Sequence, residues 1–403
     1  MSPEISVDVA VVGGGIMGAA TAWQLTQRGA RVALCDALRP GHDMGSSHGA
    51  GRIARFTYSE SIYLEMARRS FDRWSEVEKT ADVTLLETTG SWECGPEHSG
   101  ELAELIEALE RHRIPHEIWD SVESNRRFPH FNLPRTSRAV FQRDGAVLRA
   151  ERAWRSLWHL LQVAGAALLA DAPVLSLDIG PRGVSFRAGA TLVRAGVVVV
   201  TAGAWSRELV QPTGLDLPLT VTRETIAYFA PASNASASAT DHRVGAMPTL
   251  IDYHSPQPFY ALPMFEDSTE EPGVKIGWHH AGHEIEPTRI PNTHFGGGDA
   301  DAKIVERLVS YVGDRFPFLQ MRPLHATSCL YTNTPDYHFV LGRHPGQPRV
   351  VIGTGFSGHG FKFAPVVGEI LADLATDTEP CFDLGLFRPQ RFAEGPSPRR
   401  RIA

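Results

Sequence analysis

The sequence predicts an α/β protein in which a second, largely antiparallel domain is inserted into a nucleotide-binding domain. Three observations predict it. A glycine turn at residues 13–18 follows an apolar strand close to the amino terminus. A second glycine-rich turn, at residues 353–362, follows another apolar strand far along the chain. Between them, residues 216–320 are rich in aromatic residues, histidines and prolines, which favours strands and turns over helices.

Composition and charge limit the class of protein to which this chain can belong. The chain has 403 residues, which is long enough for two domains around separate cores. Hydrophobic residues make up 42% of the chain and charged residues 21%, as in ordinary globular proteins. A net charge of -7 provides no basic surface for nucleic acid, and no apolar run reaches the roughly 18 residues that span a membrane. We therefore expect neither a nucleic-acid nor a membrane partner.

The cysteines and the amino terminus predict a cytoplasmic protein. Cys35, Cys94, Cys329 and Cys381 are far apart and form no CxxC pair, which fits a reducing compartment and argues against structural zinc. The histidines form no HExxH motif, so no metal dependence is expected. An apolar strand begins within the first ten residues, where a signal peptide would otherwise lie.

The amino-terminal segment has the pattern of a βαβ unit. Residues 7–12 are an apolar run typical of a buried strand, and residues 19–28 are predicted as the helix after the glycine turn. Gly29 lies where a helix commonly ends, and residues 31–34 make a second strand that leads to Asp36. Strand, turn, helix and acidic residue therefore follow in the order of a dinucleotide-binding unit.

The glycines of this unit have separate roles in binding a dinucleotide. Gly13 permits the tight turn, Gly15 lets the backbone approach a pyrophosphate, and Gly18 allows helix and strand to pack closely. The amino terminus of the helix supplies N–H donors and a positive dipole for the phosphates. Asp36 is placed to accept hydrogen bonds from ribose hydroxyls. The predicted fold class is therefore α/β with a Rossmann-like nucleotide domain.

Later elements indicate how the two domains are interleaved. An amphipathic helix at 149–165 carries Trp154 and Trp158, and we interpret these rings as core rather than as part of a cofactor site. Further elements are predicted as strands at 174–179, 184–186, 197–201 and 350–352 and as a helix at 365–375. The nucleotide domain is expected to be discontinuous, with a mixed or antiparallel-sheet substrate domain inserted. The predicted boundaries are 1–85, 145–215 and 321–390 for the nucleotide domain, 86–144 and 216–320 for the substrate domain, and 391–403 for a flexible tail.

A cysteine near the second glycine turn indicates a flavin. Cys329 lies in the run 328–336, shortly before that turn. Glycine turns in both parts of the chain suggest a cofactor held at both ends, and a thiol between them is placed to bond to it. The alternative is that Cys329 packs as a small buried residue, and the residues alone leave this open.

Several blocks of the sequence resemble the monomeric sarcosine oxidase family, which includes N-methyltryptophan oxidase and L-pipecolate oxidase. These blocks are the first glycine turn and residues 45–55, 275–279, 328–336 and 355–362. The resemblance covers nearly the whole chain. It implies a fold like that of D-amino-acid oxidase, with a Rossmann-like FAD-binding domain, and an oxidase of secondary amino acids.

The resemblance also implies which residues contact the cofactor. Cys329 matches the cysteine that bonds covalently to the 8α-methyl group of FAD. His48 and Arg52 match residues near the flavin ring, where an arginine stabilises negative charge on the reduced ring. The other implied contacts, besides those of the first turn, are Ser46, Gly355, Gly358 and Gly360.

A substrate site follows from the same resemblance. Arg55 and Lys362 match a pair that binds the substrate carboxylate, for which a guanidinium fork and an ammonium are suited. Lys275 matches a lysine that activates oxygen, because an ammonium stabilises the negative charge of superoxide. Without the family, the ordinary interpretation of all three is a solvated surface charge. The polar residues that match the substrate cavity are Tyr260, His279 and Tyr331.

The predicted reaction is oxidation of a secondary amino acid by hydride transfer to FAD, giving an imine and, with oxygen, hydrogen peroxide. Sarcosine, larger N-methyl amino acids, cyclic imino acids such as pipecolate and sugar-modified amino acids all stay open as substrates, because Trp278 and the loops at 232–240 and 266–273 differ from the sarcosine enzymes. One alternative is a dehydrogenase of the same fold with a quinone or protein acceptor. Another is a flavin-binding module without turnover. The resemblance favours a monomer.

Overall fold

The computed structural model describes residues 3–232, 241–267, 273–287 and 300–394. Most residues of the two loops predicted at 232–240 and 266–273 lie outside these ranges. No described helix is both long enough and apolar enough to cross a bilayer. The α-helices in the described ranges are α1 (Ile16–Gln27), α2 (Ser61–Ala81), α3 (Gly100–Arg111), α4 (Ser121–Arg127), α5 (Ala150–Val163), α6 (Ser206–Val210), α7 (Ala302–Arg315) and α8 (Ala364–Ala375).

The strands of the described ranges form three sheets. In chain order they are β1 (Glu4–Val12), β2 (Val32–Cys35), β3 (Gly51–Ala54), β4 (Leu86–Thr88), β5 (Ser91–Pro96), β6 (Glu117–Asp120), β7 (Ser137–Gln142), β8 (Ala146–Arg149), β9 (Ala167–Leu169), β10 (Asp178–Gly180), β11 (Gly183–Ala188), β12 (Thr191–Val200), β13 (Thr220–Pro231), β14 (Thr249–Asp252), β15 (Phe259–Leu262), β16 (Val274–Trp278), β17 (His283–Glu284), β18 (Leu319–Asn333), β19 (Val340–His344) and β20 (Gln347–Thr354).

An eight-stranded sheet contains the amino-terminal unit. Its order is β10-β11-β12-β1-β2-β9, with β20 beside β12 and β19 beside β20. β1 runs parallel to β12 and β2, and β20 also runs parallel to β12. The last four residues of β1, Val9 to Val12, are all buried, as expected for a strand covered on both faces. The carboxyl ends of the parallel strands meet at one edge, which is where such sheets bind ligands.

Helices α1 and α8 pack against each other and against this sheet. Gly368 of α8 lies so close to α1 that a Cβ atom there would stand 2.6 Å from the carbonyl carbon of Ala20. Real Cβ atoms do not approach main-chain atoms so closely. The separation of these two helices therefore depends on a glycine.

A nine-stranded mixed sheet forms a second layer with its own core. Its order is β17-β13-β16-β15-β14-β5-β7-β6, with β18 on β13. β13 and β18 pair antiparallel from the Thr220–Asn333 pair to the Pro231–Leu319 pair. Helix α7 packs against this layer through Leu308 and Val312, both fully buried. This sheet is the predicted antiparallel domain, with one parallel pair, β5 and β14.

A small sheet of β3, β8 and β4 lies between the two larger ones. β3 contacts β15 of the nine-stranded sheet and also the short 3-10 helix Phe361–Phe363 after β20. The small sheet therefore brings β3, which follows the first glycine turn along the chain, against Phe361–Phe363 at the end of the second glycine-rich turn.

The α/β class is confirmed, while some element boundaries differ from the predictions. α1 begins at Ile16 rather than at residue 19, because Gly15 already serves as its N-cap. The strand predicted at 174–179 is wrong, since only Asp178–Gly180 is a strand and Val174 forms a single bridge to Ala188. β10 pairs with β11 only from Asp178 onward, so the residues just before Asp178 are not part of this antiparallel pair.

Two findings bear on the predicted domain limits, which themselves stay predictions. β18 begins at Leu319, before the boundary predicted at residue 321, and it pairs with β13 of the nine-stranded sheet as far as Asn333. The strand therefore lies on both sides of the predicted boundary. In the predicted tail, residues up to 394 belong to the 3-10 helix Pro389–Glu394. Arg391 holds this helix by donating to the Asp336 carboxylate at 2.8 and 3.0 Å. Residues 395–403 lie outside the described part of the chain.

Replacing Gly368 with alanine tests the contact between α1 and α8. The added methyl group does not fit beside Ala20, so the helices must separate, and we expect a loss of about 1–3 kcal/mol in the free energy of unfolding. The measurement is the midpoint of thermal unfolding. Gly100→Ala is the matched control, because Gly100 begins α3 with no atom within 4 Å of its added Cβ. The unfolding midpoint of Gly100→Ala should equal or exceed that of the wild type. Equal midpoints in Gly368→Ala and Gly100→Ala would contradict the close-packing explanation.

Candidate functional site

A cavity of about 500 Å³ lies where the three sheets approach one another. Its wall is built from the first glycine turn, the segment from Gly41 to Arg55, strands β16 and β18, and the segment from Phe356 to Lys362. Of the predicted site residues, only Gly18 and Gly355 are not in the wall. Those in the wall are Gly13, Gly15, Asp36, Ser46, His48, Arg52, Arg55, Tyr260, Lys275, His279, Cys329, Tyr331, Gly358, Gly360 and Lys362.

The first glycine turn has the close contacts that its sequence predicts. Gly13 has φ of +105°, and a Cβ atom there would stand 2.4 Å from the Thr201 carbonyl oxygen. At Gly18 a Cβ atom would stand 1.8 Å from the carbonyl oxygen of Gly13, so Gly18 packs behind the turn instead of facing the cavity. The first turn of α1 carries no acidic side chain, and the Ile16 N–H donates to Ser47 Oγ at 3.0 Å. The positive end of α1 therefore borders the cavity.

Asp36 is held in place by two main-chain donors. Its Oδ2 accepts from the Gly14 N–H at 2.6 Å and its Oδ1 from the Leu38 N–H at 2.8 Å. Burial raises the pKa of Asp36, while these donors and His42 oppose the rise. The carboxylate lines the cavity at the end of β2, as predicted for a residue that accepts from ribose hydroxyls.

The structure corrects the interpretation of two tryptophans in α5. Both Trp154 and Trp158 donate their indole N–H to the carbonyl oxygen of Gly14, at 2.8 and 2.9 Å. Trp154 also lines the cavity. They are buried as predicted, but they are not core residues alone, because they orient a peptide of the glycine turn. Helical spacing reveals burial and gives no sign of a polar partner from another element.

Arg52 organises the loop beside the cavity. Its guanidinium donates to the carbonyl oxygens of Ser46 at 2.9 Å and His48 at 2.7 Å, and it stands 5.2 Å from the centre of the Phe361 ring. Ser46 Oγ in turn donates to the Leu330 carbonyl oxygen at 2.5 Å. The loop is thereby tied to β18 next to Cys329.

Cys329 lies on β18 with its side chain in the cavity wall, and it is 7% exposed. Its partner across the ladder is Glu224 of β13, which is also buried. Cys35 also lines the cavity, near Asp36, but burial raises the pKa of its thiol to about 12. Cys94 is fully buried, and burial raises the pKa of its thiol well above the ordinary value.

Lys275 is buried rather than solvated. Lys275 lies on β16 and is 6% exposed. Its Nζ donates to the carbonyl oxygen of Gly51 at 3.4 Å. Its partner across the ladder is Tyr228, whose ring centre is 6.0 Å from Nζ. A strand lysine held in a cavity wall does not fit the ordinary interpretation of a surface charge.

Arg55 and Lys362 are two buried cations in the same wall. They are 2% and 7% exposed. Arg55 is paired with Glu93 at 2.9 Å, and Lys362 Nζ donates to Tyr58 Oη at 2.7 Å and to the His359 carbonyl oxygen at 2.9 Å. Sequence reasoning did not identify Glu93 or Tyr58. The sequence signal that could have identified Glu93 is that it is the one charged residue in the segment that forms β5.

His279, Tyr331 and Tyr260 form a neutral polar group. His279 Nδ1 lies 3.1 Å from Tyr331 Oη, and a side-chain hydrogen bond joins Tyr331 to Tyr260. Burial, then the neighbouring histidines and basic side chains, hold the pKa of His279 well below its ordinary value. Burial raises the pKa of both tyrosines. An uncharged imidazole and two phenols therefore face the cavity.

The second glycine turn differs partly from the prediction. Gly358 has φ of +77°, and a Cβ atom there would stand 2.3 Å from the Tyr331 ring, so a side chain cannot be accommodated. Gly360 also lines the cavity, but Gly355 lies behind the wall against Thr334. Gly355 therefore shapes the turn without facing the cavity.

The comparison with family models agrees with this geometry. Residues 8–374 match the model described as FAD dependent oxidoreductase. The chain belongs to this family. It is 34% identical to the human protein named peroxisomal sarcosine oxidase over 96% of both chains. It is 30% identical to N-methyl-L-tryptophan oxidase of Salmonella heidelberg, over 96% of this chain and 99% of that one.

A solved structure supports the same fold for this FAD-dependent oxidoreductase. The open form of NikD, an amino acid oxidase essential for nikkomycin biosynthesis, superimposes with a TM-score of 0.82. The sequence identity is 26%, over 95% of this chain and 97% of NikD. The Rossmann-like domain with a separate substrate domain is therefore shared.

The residues of this family member fit an FAD molecule. Gly15 leaves the first turn open toward the cavity, the amino terminus of α1 is free of acidic side chains, and Asp36 stands at the adjacent strand end. From there the cavity continues along β18 past Cys329 to Tyr331. These residues would hold an extended dinucleotide.

A second polar cluster lies away from the cavity. Donor atoms of Cys94, Asp252 and His254 lie within 4.8 Å of one another. The Asp252 carboxylate already accepts from His254 at 2.5 Å and from Tyr311 at 2.9 Å. Arg315 stands 3.6 Å from it. A carboxylate with these partners is charge-balanced within the protein.

Proposed function

We propose that this FAD-dependent oxidoreductase is an oxidase of secondary amino acids. The observation that carries the proposal is the pair of buried cations, Arg55 and Lys362, in the wall of the cavity that fits FAD. Burying two basic side chains in one wall is unfavourable without nearby anions, and Glu93 pairs directly with Arg55 but not with Lys362, so an anion bound beside both would be stabilised. A carboxylate meets this need, because it accepts two hydrogen bonds from a guanidinium and one from an ammonium.

The remaining wall favours a neutral amine. Besides the basic residues, the cavity is lined by Ile251, Pro258 and the His279–Tyr331 pair, whereas its acidic lining residues come from the segment after β2 (Asp36 and Asp43) and from α5 (Glu151). Nearby positive charge lowers the pKa of a bound amine. An amine must be neutral to release a hydride from the adjacent carbon, so these residues would prepare the substrate for oxidation.

FAD, when bound, supplies the two-electron chemistry by accepting a hydride from the carbon next to the amine, and the resulting imine hydrolyses. The protein supplies position and charge. Arg55 and Lys362 would hold the carboxylate, and His279, Tyr260 and Tyr331 would orient the amine. Arg52 and His48 would border the flavin ring system. The loop that Arg52 organises by its hydrogen bonds would position Ser46.

We also propose that Cys329 bonds covalently to the 8α-methyl group of FAD. Its place on β18 between the nucleotide side and Tyr331 supports this, as does the family resemblance. Lys275 would promote oxygen reduction to hydrogen peroxide, since a cation about 4 Å from a developing negative charge stabilises it by about 4 kcal/mol at an effective dielectric near 20. On the family resemblance, we further propose a monomer that acts in the cytoplasm.

The substrate class is tested by anaerobic mixing and the loss of flavin absorbance. We expect bleaching by secondary amino acids such as sarcosine, N-methyl-L-tryptophan or pipecolate, and none by the same amines without a carboxylate. In Arg55→Met, loss of charge-assisted hydrogen bonds worth about 1.5–3 kcal/mol should lower kcat/KM by roughly 10- to 150-fold. Arg68→Met is the matched control, because Arg68 is exposed on α2. Bleaching by no amino acid would favour the flavin-binding module.

Covalent attachment is tested by acid precipitation of the purified protein. Yellow colour should stay in the washed pellet of the wild type and pass into the supernatant of Cys329→Ala, where no thiol remains at this position. Cys35→Ala is the control, because Cys35 shares the cavity but its thiol pKa is raised to about 12. Colour released from the wild type would remove Cys329 from cofactor attachment, while leaving a flavoprotein.

The role of Lys275 is tested by the rate at which oxygen reoxidises the reduced protein. In Lys275→Met, loss of about 4 kcal/mol of stabilisation should slow this rate by up to about three decades, with little change when an artificial electron acceptor replaces oxygen. Lys303→Met, on the exposed side of α7, is the control. Negligible oxygen reactivity in the wild type would favour the dehydrogenase alternative.

A further inference from the structure

Behind the proposed carboxylate site lies a buried acidic residue, Glu93. Its Oε1 accepts from Arg55 Nη1 at 2.9 Å and also from the Thr57 hydroxyl. Its Oε2 accepts from the Tyr253 hydroxyl at 2.8 Å. Glu93 is 0% exposed and, unlike Arg55, is not part of the cavity wall. A substrate in the cavity would therefore meet Arg55 and not Glu93.

Glu93 has the position of a fixed support for Arg55. It projects from β5, which pairs with β14 on one side and β7 on the other, so its backbone cannot shift freely. Arg55 Nη1 is bonded on this side by Glu93 and by Thr57 Oγ1 at 2.6 Å. A guanidinium held at one edge presents its remaining N–H groups in a defined direction.

The same residue acts electrostatically on Lys362. Tyr58 separates the two cations, with its ring centre 4.7 Å from the Arg55 guanidinium carbon and 5.2 Å from Lys362 Nζ. Burial, then repulsion by Arg55, hold the pKa of Lys362 well below its ordinary value, and Glu93 opposes both. The titratable and charged groups around Lys362 are Arg55, Tyr58, Glu93, His279 and His359.

Among these groups, Glu93 has the one carboxyl group. Burial raises the pKa of Glu93, and Arg55 and the Tyr253 hydroxyl that donates to it oppose that rise. Burial also raises the pKa of Tyr58 and holds the pKa of His359 well below its ordinary value, so both side chains are uncharged. Glu93 is therefore the acidic group set against the two basic side chains, Arg55 and Lys362.

We propose that Glu93 is a positioning residue that fixes Arg55 for the substrate carboxylate and, as a counter-charge, keeps Lys362 protonated. This inference rests on the proposed function.

The test is a pH series of benzoate titrations of the holoenzyme, followed by the change in flavin absorbance. Benzamide, the uncharged analogue, is the reference ligand. In the wild type, benzoate affinity should be constant at low pH and fall as the pH rises through the pKa of Lys362, because the ammonium then loses its charge. In Glu93→Gln this fall should move about one pH unit lower, since an opposite charge that favours the ammonium is gone.

Two further variants separate charge from structure. Tyr253→Phe removes one hydrogen bond to Glu93 and keeps the charge, so the fall in affinity should stay at the wild-type pH. Glu93→Asp keeps the charge on a shorter side chain, so benzoate binding should weaken by the same factor at every pH. Where Glu93→Gln does not fold, Glu93→Asp alone decides, because benzoate binding as tight as in the wild type at every pH would overturn the positioning role of Glu93.

Two outcomes would overturn the inference. One is a fall in affinity at the same pH in Glu93→Gln and the wild type; the other is a shift in Glu93→Asp as large as that in Glu93→Gln. Either leaves the proposed function standing. A wild-type holoenzyme that binds benzoate no better than benzamide overturns the carboxylate site itself, and with it the proposed function.

Discussion

Two like charges buried in one cavity wall constrain much of the surrounding structure. Arg55 and Lys362 are removed from bulk water, so their mutual repulsion is poorly screened. The protein compensates with the carboxylate of Glu93 behind one cation and with the hydroxyl and ring of Tyr58 beside the other. The feature that makes this wall unfavourable in isolation is also the feature on which the proposed carboxylate site rests.

The nine-stranded sheet holds several cavity-lining groups at defined spacing. Cys329 and Tyr331 are two residues apart on β18, so both side chains project from the same face. Lys275 is fixed in the same sheet by the pairing of β16 with β13. Ser46 ties the cofactor-side loop to this strand through Leu330. Hydrogen-bonded strands therefore position these groups, and such positions are more accurate than those on free loops.

Prediction from the sequence succeeds where a pattern is local. The first glycine turn, its helix and Asp36 lie within 36 residues, and each has a recognisable local role. Family resemblance adds the more distant Arg55, Lys275, Cys329 and Lys362, which the structure brings into one cavity. The failures involve contacts between distant elements. The bonds from the two tryptophans of α5 to Gly14 leave no trace in periodicity, and the strand expected at 174–179 lacks the partner that pairing requires.

The sequence by itself determined the α/β class and the dinucleotide turn, because these follow from short-range geometry and chemical type. Only the tertiary structure decided which side chains share a wall and how each is charged. Glu93 comes from β5, Arg55 follows β3, and Lys362 follows β20, so their contact depends on the packing of three sheets. Burial shifts the pKa of each group, and burial arises only when distant segments have packed together.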